Sequence, residues 1–142
     1  NEYILWLQEI NAINEAIEVS ETGIEVAEND SEWQLQFIRR LSILLADRAL
    51  PGDVEEAIRL TRWTIELDPD NPAAYRALAL AEAMDQEYSD SIATLMEAVE
   101  RWPDIPDLHE DLAKMLRESG RDGMDVDYHM DEAARLREQL QQ

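Results

Sequence analysis

Two closely related segments stand out in this chain, Leu67-Asp68-Pro69-Asp70 and Arg101-Trp102-Pro103-Asp104. Their prolines lie 34 residues apart. Because proline lacks a backbone N–H and disfavours helical geometry in the preceding residue, each segment is expected to end a helix. A fixed period of this length predicts an array of repeated helical units.

Between the prolines, large apolar residues and small residues recur at helical spacing. Residues 72–105 carry the clearest pattern, on a first helix and then on a second: Tyr75, Leu78 and Ala79, then Ser91, Leu95 and Ala98. Each such helix pair has an apolar stripe that is buried only when the next pair stacks on it. The pattern resembles the tetratricopeptide repeat, although Glu82 stands where that family usually has an aromatic residue.

The resemblance implies an all-α fold: an α-solenoid of antiparallel helix pairs wound as a right-handed superhelix, with about seven helices. We expect residues 1–142 to form a single domain. Its predicted parts are an N-terminal helix or degenerate repeat in 1–30, repeats in 38–71 and 72–105, and a last repeat in 106–142. An insertion near 121–128 interrupts this last repeat before a solvent-facing capping helix.

The N-terminal segment also has helical periodicity, since apolar residues recur at spacings of three, four or seven from Tyr3 to Ile24. A second apolar stripe beside the first implies contacts on two sides. Two interpretations remain open: one long helix, or a degenerate repeat bent near Gly23. Asp30 and its neighbours are expected to end this segment and cap the next helix.

Composition excludes several classes of function. The net charge of −21 disfavours binding to nucleic acids, because like charges repel and no counterion release drives association. No apolar run approaches the roughly 20 residues that a membrane span needs.

Lys114 is the only lysine among many carboxylates, which suits a protein that works in high salt. A GC-rich genome with a solvated acidic surface explains the same composition.

The start of the chain bears on localisation. Since it opens with Asn1, we expect a trimmed product or a piece of a longer protein. A cytoplasmic location is expected, with a periplasmic or other extracytoplasmic one left open.

The residues for catalysis are few: no cysteine, two histidines and no glycine-rich phosphate loop. We therefore predict no enzyme activity and no cofactor. His109 takes an aromatic position of its repeat, which favours a packed, hydrogen-bonded histidine, and His129 is placed to pair with a nearby carboxylate.

One acidic cluster could suggest calcium: Asp122, Asp125, Asp127 and Asp131. Its spacing does not match a calcium-binding loop, so turn and helix-cap roles are preferred and no metal is expected.

In tetratricopeptide proteins the first helix of each unit lines a concave surface that binds extended peptides. Matching those positions residue by residue implies a peptide-binding face in this chain: Arg39, Ser42, Ala46, Leu50, Arg76, Leu80, Met84, Lys114 and Arg117. Small and apolar residues between basic ones suit a peptide with one or two apolar anchors beside an acidic group. Alternatively, the N-terminal helix or a neighbouring domain fills this face, and Leu80 and Met84 are then core residues.

The function predicted from sequence is a non-catalytic protein-interaction module with a protein or peptide partner. On this hypothesis, charge reversal at Arg76 abolishes binding without lowering stability. Two alternatives remain: a scaffold that forms homo-oligomers through apolar ends or the N-terminal helix, and a non-catalytic appendage of a larger enzyme or secretion component.

Overall fold

The computed structural model describes residues 2–121 and 123–141, and these residues form seven α-helices and no strand. The helices are α1 (Glu2–Val26), α2 (Ser31–Arg48), α3 (Asp53–Leu67), α4 (Pro72–Met84), α5 (Tyr88–Arg101), α6 (Pro106–Glu118) and α7 (Met124–Leu140). The predicted all-helical class is confirmed. The chain divides into two compact units, residues 1–70 and 71–142.

Local sequence explains where these helices start and stop. Asp30 caps α2 by accepting a hydrogen bond from the Trp33 backbone N–H at 3.3 Å. Asn71 caps α4 in the same way, and Pro72 follows at the first turn, where a missing N–H has no cost. The helices α3 and α5 both end two residues before the prolines of the repeated segments.

The first unit is a three-helix stack in which α1 is continuous through Gly23. The glycine is needed for packing rather than for a bend, because a Cβ there would lie 2.5 Å from the Phe37 ring of α2. The core of this unit consists of Ile17, Ile38, Leu41, Leu45, Ala57 and Leu60. Of the two interpretations of the N-terminal segment, the structure therefore has the long helix.

An ion pair joins the helices of the first unit. Arg48 at the end of α2 donates to both carboxylate oxygens of Asp53 at the start of α3, each at 2.7 Å. The same guanidinium donates to Asn14 Oδ1 at 2.8 Å, and Asp53 also accepts from the Leu50 backbone N–H. Since α1 and α2 run antiparallel, the residues of α1 that precede Asn14 extend past the end of α2.

The second unit packs α4, α5, α6 and α7 through small residues and buried leucines. Ala98 is completely buried, and Ser91 on α5 donates to the Ala79 carbonyl of α4 at 2.7 Å. Glu82, which replaces the usual aromatic residue, is 2 % exposed and accepts from Thr94 Oγ1 at 2.8 Å. The hydrogen bond compensates the burial of a polar side chain at this position.

The helix α7 begins at Met124, so residues 124–128 of the predicted insertion are helical. It buries Val126, Ala133 and Leu136, and most of its other side chains are exposed. Asp125 and Asp127 lie in its first turn, where negative charge is favourable to the helix dipole. Asp122 of the predicted acidic cluster lies outside the described residues.

Candidate binding surface

The nine residues of the predicted peptide-binding face divide between the two units. Arg39, Ser42 and Ala46 lie on α2, and Leu50 follows that helix. Arg76, Leu80 and Met84 lie on α4, and Lys114 and Arg117 lie on α6. The two sets are described separately below.

In the first unit, three of the four predicted residues take part in internal packing. Ser42 is 6 % exposed and donates to the Arg39 carbonyl of its own helix. Ala46 packs against the core, and the Arg39 guanidinium donates to Asp68 at 2.8 Å. Only Leu50 among them presents a large apolar side chain to solvent, at 44 % exposure.

In the second unit, α4 and α6 flank a cleft of about 370 Å³. We call it the α4–α6 cleft, and its lining residues are Arg76, Ala77, Ala79, Leu80, Leu95, Asp111, Lys114 and Met115. The helix α5, which lies between α4 and α6 in sequence, supplies Leu95. The lining is mainly apolar, with charged groups at Arg76, Asp111 and Lys114.

Two exposed apolar side chains follow one another along α4. Leu80 is 59 % exposed and Met84, one turn later, is 44 % exposed. Neither side chain is buried in the core of the second unit. On α6, Lys114 and Arg117 are exposed in the same way, one turn apart.

The charges around the cleft differ from the sequence-based expectation. Arg76 Nε donates to Asp111 at 2.5 Å, and its Nη1 donates to Asp107 at 2.9 Å. Hydrogen bonding to Asp111 raises the pKa of Arg76. Asp107 and Glu110 also accept from Arg137 of α7, and the bond from Arg137 lowers the pKa of Asp107. The guanidinium of Arg76 is thus paired with two carboxylates of α6 within the second unit.

By contrast, Lys114 and Arg117 form no ion pair with any residue that the structure describes. Both side chains are exposed on α6. Sequence reasoning missed Asp111 and Arg137. Arg76 and Asp111 are 35 residues apart, close to one repeat period, so the period itself could have indicated their contact.

Two further expectations concern metals and membranes. Among residues 2–121 and 123–141, no three histidine or carboxylate side chains are grouped so that they could hold a metal ion. Over the same residues, every helix is too short or too polar to span a bilayer.

Comparison with known proteins identifies the fold. No protein-family model matches the sequence, and no curated protein matches it. The solved structure "MamA MSR-1" has a TM-score of 0.71 at 18 % identity. The matched region covers 90 % of this chain and 69 % of the MamA chain. The structure "MamA AMB-1" has the same TM-score and identity, over 89 % and 70 %. A third MamA structure has a TM-score of 0.58 at 13 % identity, over 97 % and 85 %. MamA is a helical repeat protein of the tetratricopeptide type, and this chain shares its fold.

Proposed function

We propose that this chain is a non-catalytic protein-interaction module that binds an extended peptide at the α4–α6 cleft. The observation that carries the proposal is a combination of three features: an apolar cleft lined by exposed Leu80, exposed Met84 one turn later on α4, and two cations on α6 that form no ion pair with a described residue. An apolar cleft rimmed by polar groups is a common form of peptide-binding site.

The chemistry of the cleft indicates the kind of peptide. An apolar side chain would fill the space beside Leu80 and Leu95, and a second could contact Met84. A carboxylate on the peptide would then face Lys114 or Arg117, and a charge-assisted bond there is worth about 1.5–3 kcal/mol. The guanidinium of Arg76 donates to Asp107 and Asp111 and so orients both carboxylates. We propose no peptide contact for Ser42 and Ala46, because both are engaged in packing.

The expected affinity is modest. Each buried apolar anchor contributes about 1.5–3 kcal/mol before the cost of ordering the peptide is subtracted. One or two anchors with one ionic contact therefore correspond to a dissociation constant on the order of micromolar.

The test is peptide selection from a displayed random library, followed by affinity measurement on variants. Selected peptides should combine an apolar residue with a neighbouring acidic group. Leu80→Glu should weaken binding at least about tenfold, since it removes an apolar contact and adds a repelling charge. Met96→Glu is the matched control, because Met96 on α5 is 58 % exposed against 59 % for Leu80 and does not line the cleft.

The ionic contact has its own control. Lys114→Glu should weaken the same peptides, whereas Arg121→Glu, an exposed site outside the cleft, should not. Equal losses from Leu80→Glu and Met96→Glu, or from both charge reversals, would place binding elsewhere.

Self-association as a scaffold is a second candidate, and it is supported by the start of α1. Tyr3, Ile4, Leu5 and Trp6 are between 51 % and 66 % exposed, and the Tyr3 and Trp6 rings stack at 6.1 Å. These consecutive residues point to several sides of a helix that extends past α2. Leu5→Glu should lower the mass in sedimentation equilibrium, and Val19→Glu, equally exposed at 59 % on the same helix, should leave it unchanged. A monomer in the unsubstituted protein at every concentration would exclude this candidate.

A further inference from the structure

The two histidines of the chain contact each other in the second unit, and the proposed function uses neither. His109 on α6 is 3 % exposed, and its Nδ1 lies 2.9 Å from Nδ1 of His129 on α7. The predicted packed, hydrogen-bonded His109 is confirmed. His129 was expected to pair with a carboxylate, but its hydrogen bond goes to an imidazole, because α7 directs this face of its second turn at α6.

The partners of His109 determine where its proton lies. Its Nε2 is 2.9 Å from the Pro103 carbonyl oxygen, which can only accept a hydrogen bond. Nε2 therefore carries the hydrogen. A neutral imidazole has one N–H, so Nδ1 of His109 is the acceptor and Nδ1 of His129 must be the donor.

This arrangement tolerates one additional proton but not two. His129 can become an imidazolium and still donate through Nδ1. Protonation of His109 as well puts two N–H groups and two positive charges face to face at 2.9 Å. The hydrogen bond is then lost, and an unpaired donor is left in a buried position.

We propose that the His109–His129 pair is a pH-operated latch that holds the first two turns of α7 on α6 and releases them when both imidazoles are protonated. In those turns His129 is half-buried and Val126 is the one buried side chain. The later part of α7 is held independently by Ala133, Leu136 and the bonds from Arg137 to α6. The expected response to acid is thus a local opening and not an unfolding of the unit.

The surrounding charges set the direction of the response. Burial, followed by the charge of His109, lowers the pKa of His129, while Asp125 and Glu132 on α7 oppose that shift. Glu132 accepts a hydrogen bond from Arg135, whose charge also interacts with Asp104 of the loop before α6. The Tyr128 ring lies edge-on to the His129 ring, with 5.0 Å between the ring centroids. Because the latched form disfavours the charged imidazole, opening takes up protons. The stabilising effect of the latch is complete above about pH 6.5 and is lost as the pH falls below that value.

A first test needs no substitution. Nitrogen-15 NMR of the imidazoles in the unsubstituted protein at about pH 8 reports which nitrogen of each ring carries hydrogen. The latch requires hydrogen on Nε2 of His109 and on Nδ1 of His129. Hydrogen on Nδ1 of His109 would overturn it.

A second test measures the opening itself. Amide exchange protection of residues 127–130 should fall about tenfold or more between about pH 8 and pH 5, while that of 134–138 should change little. His129→Asn keeps an N–H donor near the position of Nδ1 but cannot become charged, so opening takes up one proton fewer and its protection should depend less steeply on pH. An unchanged pH dependence in this variant, or an equal loss along all of α7, would contradict the latch.

Discussion

The guanidinium of Arg76 on α4 is hydrogen bonded through Nε to the carboxylate of Asp111 on α6, 35 residues later in the sequence, at 2.5 Å. Nη1 of the same guanidinium holds Asp107 at 2.9 Å, and Asp107 also accepts from Arg137 of α7. A single arginine thus joins α4 to α6, which are separated in sequence by α5. Because Asp107 is shared, the network extends to the last helix of the second unit.

We expect Arg76→Glu to lower the stability of the second unit, contrary to the expectation from sequence that this reversal leaves stability unchanged. The new carboxylate would face Asp107 and Asp111 without a neutralising charge. Arg76→Gln should cost only about 1 kcal/mol or less, since the pair is partly exposed and screened by solvent. Thermal unfolding followed by circular dichroism compares the two variants. Equal melting temperatures for Arg76→Glu and the unsubstituted protein would show that the ion pairs contribute nothing.

The partly buried Arg48–Asp53 pair in the first unit should be more sensitive to substitution than the pairs of Arg76. Asp53→Asn removes the charged partner of Arg48 and is expected to cost about 1.5–3 kcal/mol. Glu56→Gln is the matched control, since Glu56 pairs with Arg59 on an exposed helix surface, where such pairs contribute about 0.3–0.5 kcal/mol. Urea unfolding measures both. A loss for Asp53→Asn no greater than that for Glu56→Gln would contradict the assigned role of the pair.

Acid should weaken the same pair. Hydrogen bonding from Arg48 is the main cause that lowers the pKa of Asp53 below its usual value of 3.8. Its folded form therefore binds the proton less tightly than its unfolded form, and the stabilising effect is present above about pH 4. It is lost as the pH falls through the folded-state pKa. The stability difference between the unsubstituted protein and Asp53→Asn should shrink below about pH 4, and a constant difference would argue against this assignment.

Gly23→Ala should destabilise α1 although alanine is the better helix former. The added methyl group would lie 2.5 Å from the Phe37 ring, so the ring or the helix must shift. We expect a loss of about 1–3 kcal/mol in urea unfolding. Thr22→Ala, at an exposed neighbouring position, should change stability far less. Combining Gly23→Ala with Phe37→Leu should recover part of the loss, and no recovery would mean that the contact is not the cause.

Salt should raise the melting temperature. The net charge of −21 makes repulsion among carboxylates the dominant long-range electrostatic effect, and about 1 M KCl screens it to within about 3 Å. Exposed ion pairs such as Arg59 with Glu56 weaken at the same time, but each contributes little. Calorimetry from about 0.05 to 1 M KCl measures the balance. A falling melting temperature would show that the ion pairs outweigh the repulsion.

Sequence alone determined the features that depend on local chemistry. Pro69 and Pro103 predicted where α3 and α5 end, because a proline stops a helix whatever surrounds it. Asp30 predicted the start of α2 for a similarly local reason. The spacing of apolar and small residues then predicted helix pairs that must stack, and burial of Leu95, Ala79 and Ala98 agrees with that pattern.

Only the tertiary structure decided which polar groups meet. The sequence placed Arg76 on a binding face, but its partners Asp111 and Asp107 depend on how α4 and α6 are aligned. His129 met an imidazole because the start of α7 at Met124 sets which of its faces contacts α6. Side-chain pairing across helices follows from their rotation and register, and a periodic pattern specifies these too coarsely to fix single atoms.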